Sequence, residues 1–129
     1  NLYGIFNITH KFGITAGFDI GSEQKTKGSN DFNTWYTPVL ILKYAVNSKW
    51  AIAARGEYYD DRYGVIIASG TPNGFKTAGY SLNVDYAPIS NVVIRLEART
   101  LNSKDDIFST GNGVTNNNTF ITSSIAVSF

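Results

Sequence analysis

Charged side chains of both signs recur at every second position in two stretches of the chain. Arg55 and Glu57 are two residues apart, and Arg95, Glu97 and Arg99 repeat that spacing. Successive side chains of a strand point to opposite faces, so each set lies on one face of a strand. Such groups could pair across neighbouring strands or meet ions in water. The charged residues at positions that alternate in this way, opposite the apolar residues of their segments, are Asp19, Lys43, Arg55, Glu57, Asp61, Asp85, Arg95, Glu97 and Arg99.

Catalytic chemistry has little support in the sequence. The one histidine, His10, lies at a predicted turn without a partner serine or aspartate nearby. A Ser–His hydrolase needs the two side chains within hydrogen-bond reach. The pairs Asp60-Asp61 and Asp105-Asp106 could bind Ca²⁺ weakly, but solvated acidic loop tips are the interpretation that we favour. We therefore predict that the protein is not an enzyme and has no catalytic residue, metal site or cofactor.

The charges belong to segments in which apolar and polar residues alternate. From Ala78 to Tyr86, the even positions are mostly aromatic or aliphatic, and the odd positions are glycine or polar. The alternation resumes at Val92 after a reversal at 88–91. The stretch 78–101 is therefore a predicted β-hairpin with one apolar face and one polar face.

Similar alternation elsewhere predicts seven strands and no helix. The fold class is all-β, an antiparallel up-and-down meander that forms a single domain over residues 1–129. Pro38 lacks an N–H group for the ladder, so we expect a bulge there or a strand that begins later. Val65–Ile67 is expected to extend the fourth strand or to fold over the mouth of the sheet. The predicted strands are 2–9, 12–24, 34–46, 49–62, the two strands of 78–101, and 118–129.

The composition excludes several classes of protein. Charged residues make up 16% of the 129 residues, whereas about 25% is typical of soluble domains. The net charge of +1 gives no reason to expect a nucleic-acid partner. Cysteine is absent, which fits an envelope protein. No apolar run approaches the roughly 20 residues that a transmembrane helix needs.

The connections between the predicted strands alternate between short and long. The reversals at 10–11, 47–48 and 88–91 are short. Outer-membrane barrels combine short periplasmic turns with longer extracellular loops, whereas a soluble meander barrel shows that asymmetry only by chance. The alternation therefore favours a transmembrane β-barrel. The long, polar connections are 25–33, 63–76 and 102–117.

The nine charges fit the interior of such a barrel. Its apolar face meets lipid, where each Arg or Lys at the midplane would cost about 2–4 kcal/mol. The charges must therefore face water, and all nine are candidate pore-lining residues. An ion-pair ladder that braces the barrel wall from inside is equally compatible with the pattern.

Aromatic residues mark both ends of the apolar face. Tyr36 and Tyr44 are eight residues apart, and so are Trp50 and Tyr58. Eight residues of a strand tilted by roughly 40° climb about 20 Å, close to the roughly 25 Å apolar band between aromatic girdles. Aromatic packing at the two ends of a soluble barrel is the alternative. The candidate girdle residues are Phe12, Tyr36, Tyr44, Trp50, Tyr58, Tyr80 and Tyr86.

Several motifs together resemble the OmpL-like family of outer-membrane β-barrel porins. The likeness covers nearly the whole chain and corresponds to the C-terminal part of such a barrel. Single motifs are weak, and Arg-Gly-Glu-Tyr followed by the last hairpin and a terminal Phe is more specific. The motifs are the turns 9–12, 47–50 and 88–92, with the segments 54–61, 80–86, 94–99 and 126–129.

The resemblance implies a protein of the Gram-negative envelope that lies in the bilayer of the bacterial outer membrane. It implies a channel for passive diffusion of small polar solutes or ions. It also implies that Ile125, Val127 and Phe129 form the C-terminal signal read by the barrel-assembly machinery.

Strand number and function leave alternatives open. Seven strands is an odd number, whereas complete bacterial barrels normally have an even one, so we expect a fragment of a larger barrel. A non-conducting structural or adhesive barrel is the main alternative to a channel. A soluble β-barrel that binds a small ligand is the other.

Overall fold

A computed structural model describes all residues, 1–129, and consists of strands and loops. Seven strands form one antiparallel sheet in which each strand pairs with its neighbour in the chain, apart from a small separate hairpin. This confirms the predicted all-β meander. The strands are β1 (Leu2–Asn7), β2 (Phe12–Gln24), β3 (Phe32–Ala45), β4 (Trp50–Asp61), β5 (Phe75–Ile89), β6 (Val92–Ser103), β7 (Phe108–Thr110), β8 (Gly113–Thr115) and β9 (Asn117–Val127).

Most strand boundaries differ from the prediction by a few residues, and one predicted loop contains two further strands. β3 begins at Phe32 rather than at residue 34. β5 begins at Phe75 rather than at residue 78, because Phe75 pairs with Asp61 and extends the ladder with β4. The predicted loop 102–117 contains the two-stranded hairpin of β7 and β8. Short strands of three residues carry too little alternation to be read from the sequence.

The turns of the sheet alternate in length as predicted. Short reversals join β1 to β2, β3 to β4 and β5 to β6, and long connections join β2 to β3, β4 to β5 and β6 to β9. The hydroxyl oxygen of Thr9 accepts hydrogen bonds from the N–H groups of Lys11 and Phe12, and Asn47 closes its turn in the same way through its Oδ1 atom. Side chains that bond their own turn specify a tight reversal at these positions.

The apolar face of the sheet is exposed and the polar face is enclosed. On β5, Tyr80 and Leu82 are each 57% exposed, whereas Asn83 is 7% and Asp85 is 9% exposed. On β9, Ile121 is 71% exposed. A soluble β-barrel would bury its apolar face instead, because burial of apolar surface drives folding in water. The curvature of this sheet therefore has the sense expected for a barrel wall in a membrane.

Pro38 causes neither of the irregularities predicted for it. β3 starts six residues before Pro38, and Pro38 itself pairs with Phe18 of β2. On the other side, the pairing of β3 with β4 is interrupted between Tyr36 and Val39 but keeps the same register. The missing N–H group therefore leaves a local gap in one ladder without shifting the strand.

The sheet does not close into a complete barrel. β1 pairs with β2 alone, and β9 pairs with β6 alone, so each keeps one free edge. No helix in the structure is long and apolar enough to cross a membrane.

Candidate functional site

The nine charged residues predicted to line a pore all lie on one face. The registers of β2 to β6 pair odd-numbered residues with odd-numbered residues, so these positions share a surface, here called the polar face. Its members approach one another across neighbouring strands because directly opposite side chains are about 5 Å apart. The sequence therefore predicted their common placement.

Glu57 is the centre of one charged cluster on the polar face. Its carboxylate accepts from Arg55 on the same strand and pairs with Arg99 on β6, two strands away. Gly79 lies between them on β5, where an added Cβ would come within 2.7 Å of Glu57 Oε1. A glycine at this point leaves the space through which Glu57 and Arg99 meet.

Asp85 and Arg95 form a second cluster nearer the short turns. They lie directly opposite each other in the register of β5 and β6. Arg95 Nε donates to Asp85 Oδ1 at 2.7 Å, and its second nitrogen donates to Oδ2 at 2.8 Å. The amide of Asn83 donates to the same carboxylate at 2.9 Å. This bidentate geometry fixes the guanidinium plane more firmly than a single hydrogen bond would.

Four predicted members remain outside these ion pairs, namely Glu97, Lys43, Asp19 and Asp61. Glu97 forms no salt bridge, which corrects the idea that it pairs with the arginines around it, because Arg95 is held by Asp85. Lys43 is exposed and likewise forms no salt bridge. Asp19 accepts from the amide of Asn1. Glu97 in the middle of β6 and Lys43 near the short-turn end of β3 are therefore the charges most available to solutes.

Asp61 holds the loop 62–74 over the polar face. Its side chain is fully buried, and its oxygens accept from the N–H groups of Val65, Ile66 and Ile67 at 2.7–2.8 Å. Ile67 consequently lines a cavity on that face together with Glu57. Of the two arrangements expected for this segment, extension of the fourth strand is wrong, because β4 ends at Asp61 and Ile67 lies over the polar face. Asp61 is a structural anchor here and is not a solvated acidic tip.

Asp60 has the opposite placement although it is the next residue in the chain. It lies on the outer face and pairs with Lys76 at 2.8 Å, and the hydroxyl of Tyr36 lies 3.5 Å from its carboxylate. Adjacent residues of a strand point to opposite faces, so the acidic pair is divided between two environments. No group of three or more His, Cys, Asp or Glu side chains is placed to hold a metal ion.

Asp105 links two long loops. Its carboxylate accepts from the backbone N–H of Asn73 at 2.8 Å and from the side-chain amide at 2.7 Å. These hydrogen bonds stabilise the charged form and lower the pKa of Asp105. The contact spans 32 residues of sequence, and no local pattern signals it.

The predicted aromatic girdle lies on the outer face. Near the short turns Trp50 stacks on Tyr86 with 4.5 Å between ring centroids. Near the long loops Tyr36 contacts Tyr58 at 6.3 Å. Phe12 and Tyr44 face each other across β2 and β3. Tyr80 lies opposite Gly56, two residues short of the level of Tyr58.

Another set of aromatic residues lies on the polar face and was missed by the sequence analysis. Trp35, Tyr59 and Phe75, here called the aromatic row, occupy the ends of their strands next to the long loops. Their odd numbers place them in the phase of Glu57 and Arg55. Their position in the same alternation as Glu57 and Arg55 is the sequence signal that predicts their placement on the polar face.

The predicted C-terminal signal shares the outer face. Ile125 and Val127 pair with Ile94 and Val92 of β6 and are 69% and 50% exposed. Phe129 follows the end of β9 and is fully exposed. These side chains are therefore accessible on the free-edge strand.

A sheet that encloses most of its charged face and exposes an aromatic-bordered apolar surface is the wall of an outer-membrane type of β-barrel. Over residues 1–129 the chain matches the family described as "Putative beta-barrel porin-2, OmpL-like", and it belongs to that family. It is thus of the general outer-membrane porin kind. Comparison with curated proteins and with solved structures finds no match.

Proposed function

We propose that the protein is a channel through which small polar solutes or ions diffuse passively across the bacterial outer membrane. The observation that carries the proposal is the inverted burial of the sheet. Asp85 is 9% exposed on one face, while Leu82 and Leu96 are more than half exposed on the other. A wall of this kind separates lipid from water.

The polar face can pass solutes without any chemical step. Arginine, lysine and carboxylate groups offer donors and acceptors that replace part of the hydration of a passing ion. The clusters around Glu57 and Asp85 are internally neutralised in part, so neither binds an ion of one sign without competition. Lys43 and Glu97 add one free charge of each sign. The arrangement supports weak, non-trapping contacts, as diffusion requires.

The outer face supplies the proposed partners. Its apolar band contacts the hydrocarbon of the bilayer, and the girdle tyrosines and tryptophan lie at the two interfaces, where amphipathic rings are stable. We propose that the barrel-assembly machinery reads the exposed segment that contains Ile125, Val127 and Phe129.

Planar-bilayer conductance of the full-length protein tests the proposal. The protein is purified in detergent, and heat-modifiable mobility on a gel shows that it is folded before it is added to the bilayer. Stepwise increases in current are the expected result. Protein that is folded and inserted but never conducts would contradict the channel.

One observation favours a non-conducting barrel as the second candidate. The loop 62–74 folds over the polar face, and Ile67 lies against it. A loop in this position could block passage and leave a structural or adhesive role. The conductance measurement separates the two candidates, because a blocked barrel inserts into the bilayer without producing current.

A further inference from the structure

The aromatic row has no role in contacting lipid. Trp35 and Tyr59 are nearly parallel, with centroids 5.8 Å apart and planes inclined by 4°. Phe75 meets Tyr59 edge to face at 5.4 Å. All three lie on the polar face, opposite the girdle that borders the membrane. Large apolar rings on the wet side of a barrel wall require another explanation.

The position of Trp35 depends on a glycine of the neighbouring strand. Gly21 lies opposite Trp35, and a Cβ added there would come within 2.6 Å of Trp35 Nε1. The indole therefore lies over the backbone of β2, in space that a larger residue would fill. Trp35 and Tyr59 lie in nearly parallel planes, Phe75 stands edge-on to Tyr59, and all three rings are only partly buried.

A cavity of about 280 Å³ adjoins the row beneath the loop 62–74. This volume is near the roughly 300 Å³ at the lower end of small-molecule sites. The cavity combines aromatic, aliphatic and hydrogen-bonding groups on one side of the sheet. The lining residues that matter here are Glu57, Tyr59, Ile67, Phe75, Thr77 and Arg99.

Thr77 gives an independent sign that the cavity takes a polar ligand. Thr77 is 4% exposed, and its hydroxyl group has no hydrogen-bond partner in the protein. Buried hydroxyl groups are nearly always paired, because an unmade hydrogen bond is unfavourable. A ligand that carries its own hydroxyl groups would supply the missing partner.

The charged groups beside the cavity leave guanidinium donors free for the oxygen atoms of a ligand. Glu57 is shared by Arg55 and Arg99, so its own charge is compensated, and the three side chains together keep one excess positive charge. Each guanidinium has five N–H donors, more than one carboxylate can accept, and these remain able to donate to neutral oxygens. The site therefore offers donors, acceptors and flat rings without an unpaired carboxylate.

We propose that the aromatic row and this cavity form a subsite for a pyranose ring of a neutral oligosaccharide that enters from the long-loop side. The C–H groups on one face of a pyranose carry partial positive charge and pack against the negative face of an aromatic ring. Its hydroxyl groups at the ring edge reach Thr77, Glu57 and Arg99. The proposal rests on the proposed function in one respect, since it requires the polar face to be the water-filled side of the barrel.

Calorimetric titration of the full-length protein in detergent with maltotetraose, a neutral chain of pyranose rings, tests the subsite. We expect saturable binding that Tyr59→Leu weakens roughly two- to tenfold, the range for loss of one aromatic contact. Thr77→Val, which keeps the shape and removes the hydroxyl, should weaken it as well. The matched control is Tyr58→Leu, because Tyr58 is the neighbouring ring on the outer face and should leave binding unchanged.

A linear polyol, sorbitol, controls for nonspecific hydrogen bonding and should not bind, because it lacks a ring face. Absence of maltotetraose binding, or equal losses in the Tyr58 and Tyr59 variants, would overturn the subsite. A protein that conducts but does not bind would refute the subsite alone. A protein that binds but never conducts would leave the subsite standing and refute the channel.

Discussion

Asp105 shows how one side chain joins two loops that are distant in sequence. Two N–H groups of Asn73 donate to its carboxylate, and the adjacent backbone adds a bond from Lys104 N–H to the carbonyl of Lys76. The hydrogen bonds from Asn73 lower the pKa of Asp105 in the folded protein. The carboxylate therefore stabilises the loop contact fully when the pH is above the ordinary aspartate pKa of about 3.9. This stabilisation is lost as the pH falls through the lowered pKa that Asp105 has in the folded protein.

Hydrogen–deuterium exchange of the segment 70–76 measures this contact. At pH 7 we expect Asp105→Asn to exchange several-fold faster than the natural protein, because the variant lacks a charged acceptor. The difference should narrow only when both proteins are compared well below about pH 4, as the pH falls through the lowered pKa of the Asp105 carboxyl. Asp106→Asn changes a neighbouring exposed carboxylate and should have no effect. A difference that persists unchanged at low pH would contradict this account.

At the scale of a whole loop, Asp61 fixes the segment 62–74 by hydrogen bonds, as Asp105 fixes the contact between two loops. Three consecutive N–H groups converge on one buried carboxylate. Asparagine would replace one acceptor oxygen with a second donor, so at least one of these hydrogen bonds would be lost. A hydrogen bond to a charged group contributes about 1.5–3 kcal/mol. We therefore expect Asp61→Asn to increase exchange of the 65–67 amides roughly tenfold or more.

The matched control for the loop is Asp60→Asn. It makes the same chemical change one residue earlier, where the side chain lies on the outer face beside Lys76. If Ile67 restricts the solute path, Asp61→Asn should also raise single-channel conductance and its fluctuations, whereas Asp60→Asn should not. Equal exchange in both variants would show that Asp61 does not hold the loop.

The strands and their faces were predictable because alternation is a local property. Every second residue of β5 and β6 carries the same chemistry, and pairing in register brings these residues onto one surface. Contacts through space were not predictable in this way. The hydrogen bonds between Asp105 and Asn73 join residues whose separation in sequence gives no periodic signal. The same is true of the ion pair in which Glu57 reaches across Gly79 to Arg99.

The separation of Asp60 from Asp61 illustrates the same limit. The sequence shows two adjacent carboxylates near a long loop, and a solvated tip is the simple interpretation. The alternation of side chains along β4 does predict that Asp60 and Asp61 point to opposite faces of the sheet. What occupies each face, Lys76 outside and three loop amides inside, depends on how β5 and the loop return to β4.

At the scale of the whole molecule, the polar face carries nearly equal numbers of positive and negative charges. A small change in charge should therefore alter its ion selectivity. Replacing Arg95 and Arg99 with glutamine removes two positive charges and leaves Asp85 and Glu57 less neutralised. We expect the double variant to assemble and to shift ion selectivity toward cations, seen as a change in reversal potential across a salt gradient. The shift should be larger near 0.1 M salt, where the screening length is about 10 Å, than at 1 M, where it is about 3 Å. Lysine at both positions keeps the charge and should restore the natural selectivity. An unchanged reversal potential in the glutamine variant would remove both arginines from the solute path, because two charges lining that path cannot be lost without altering its field.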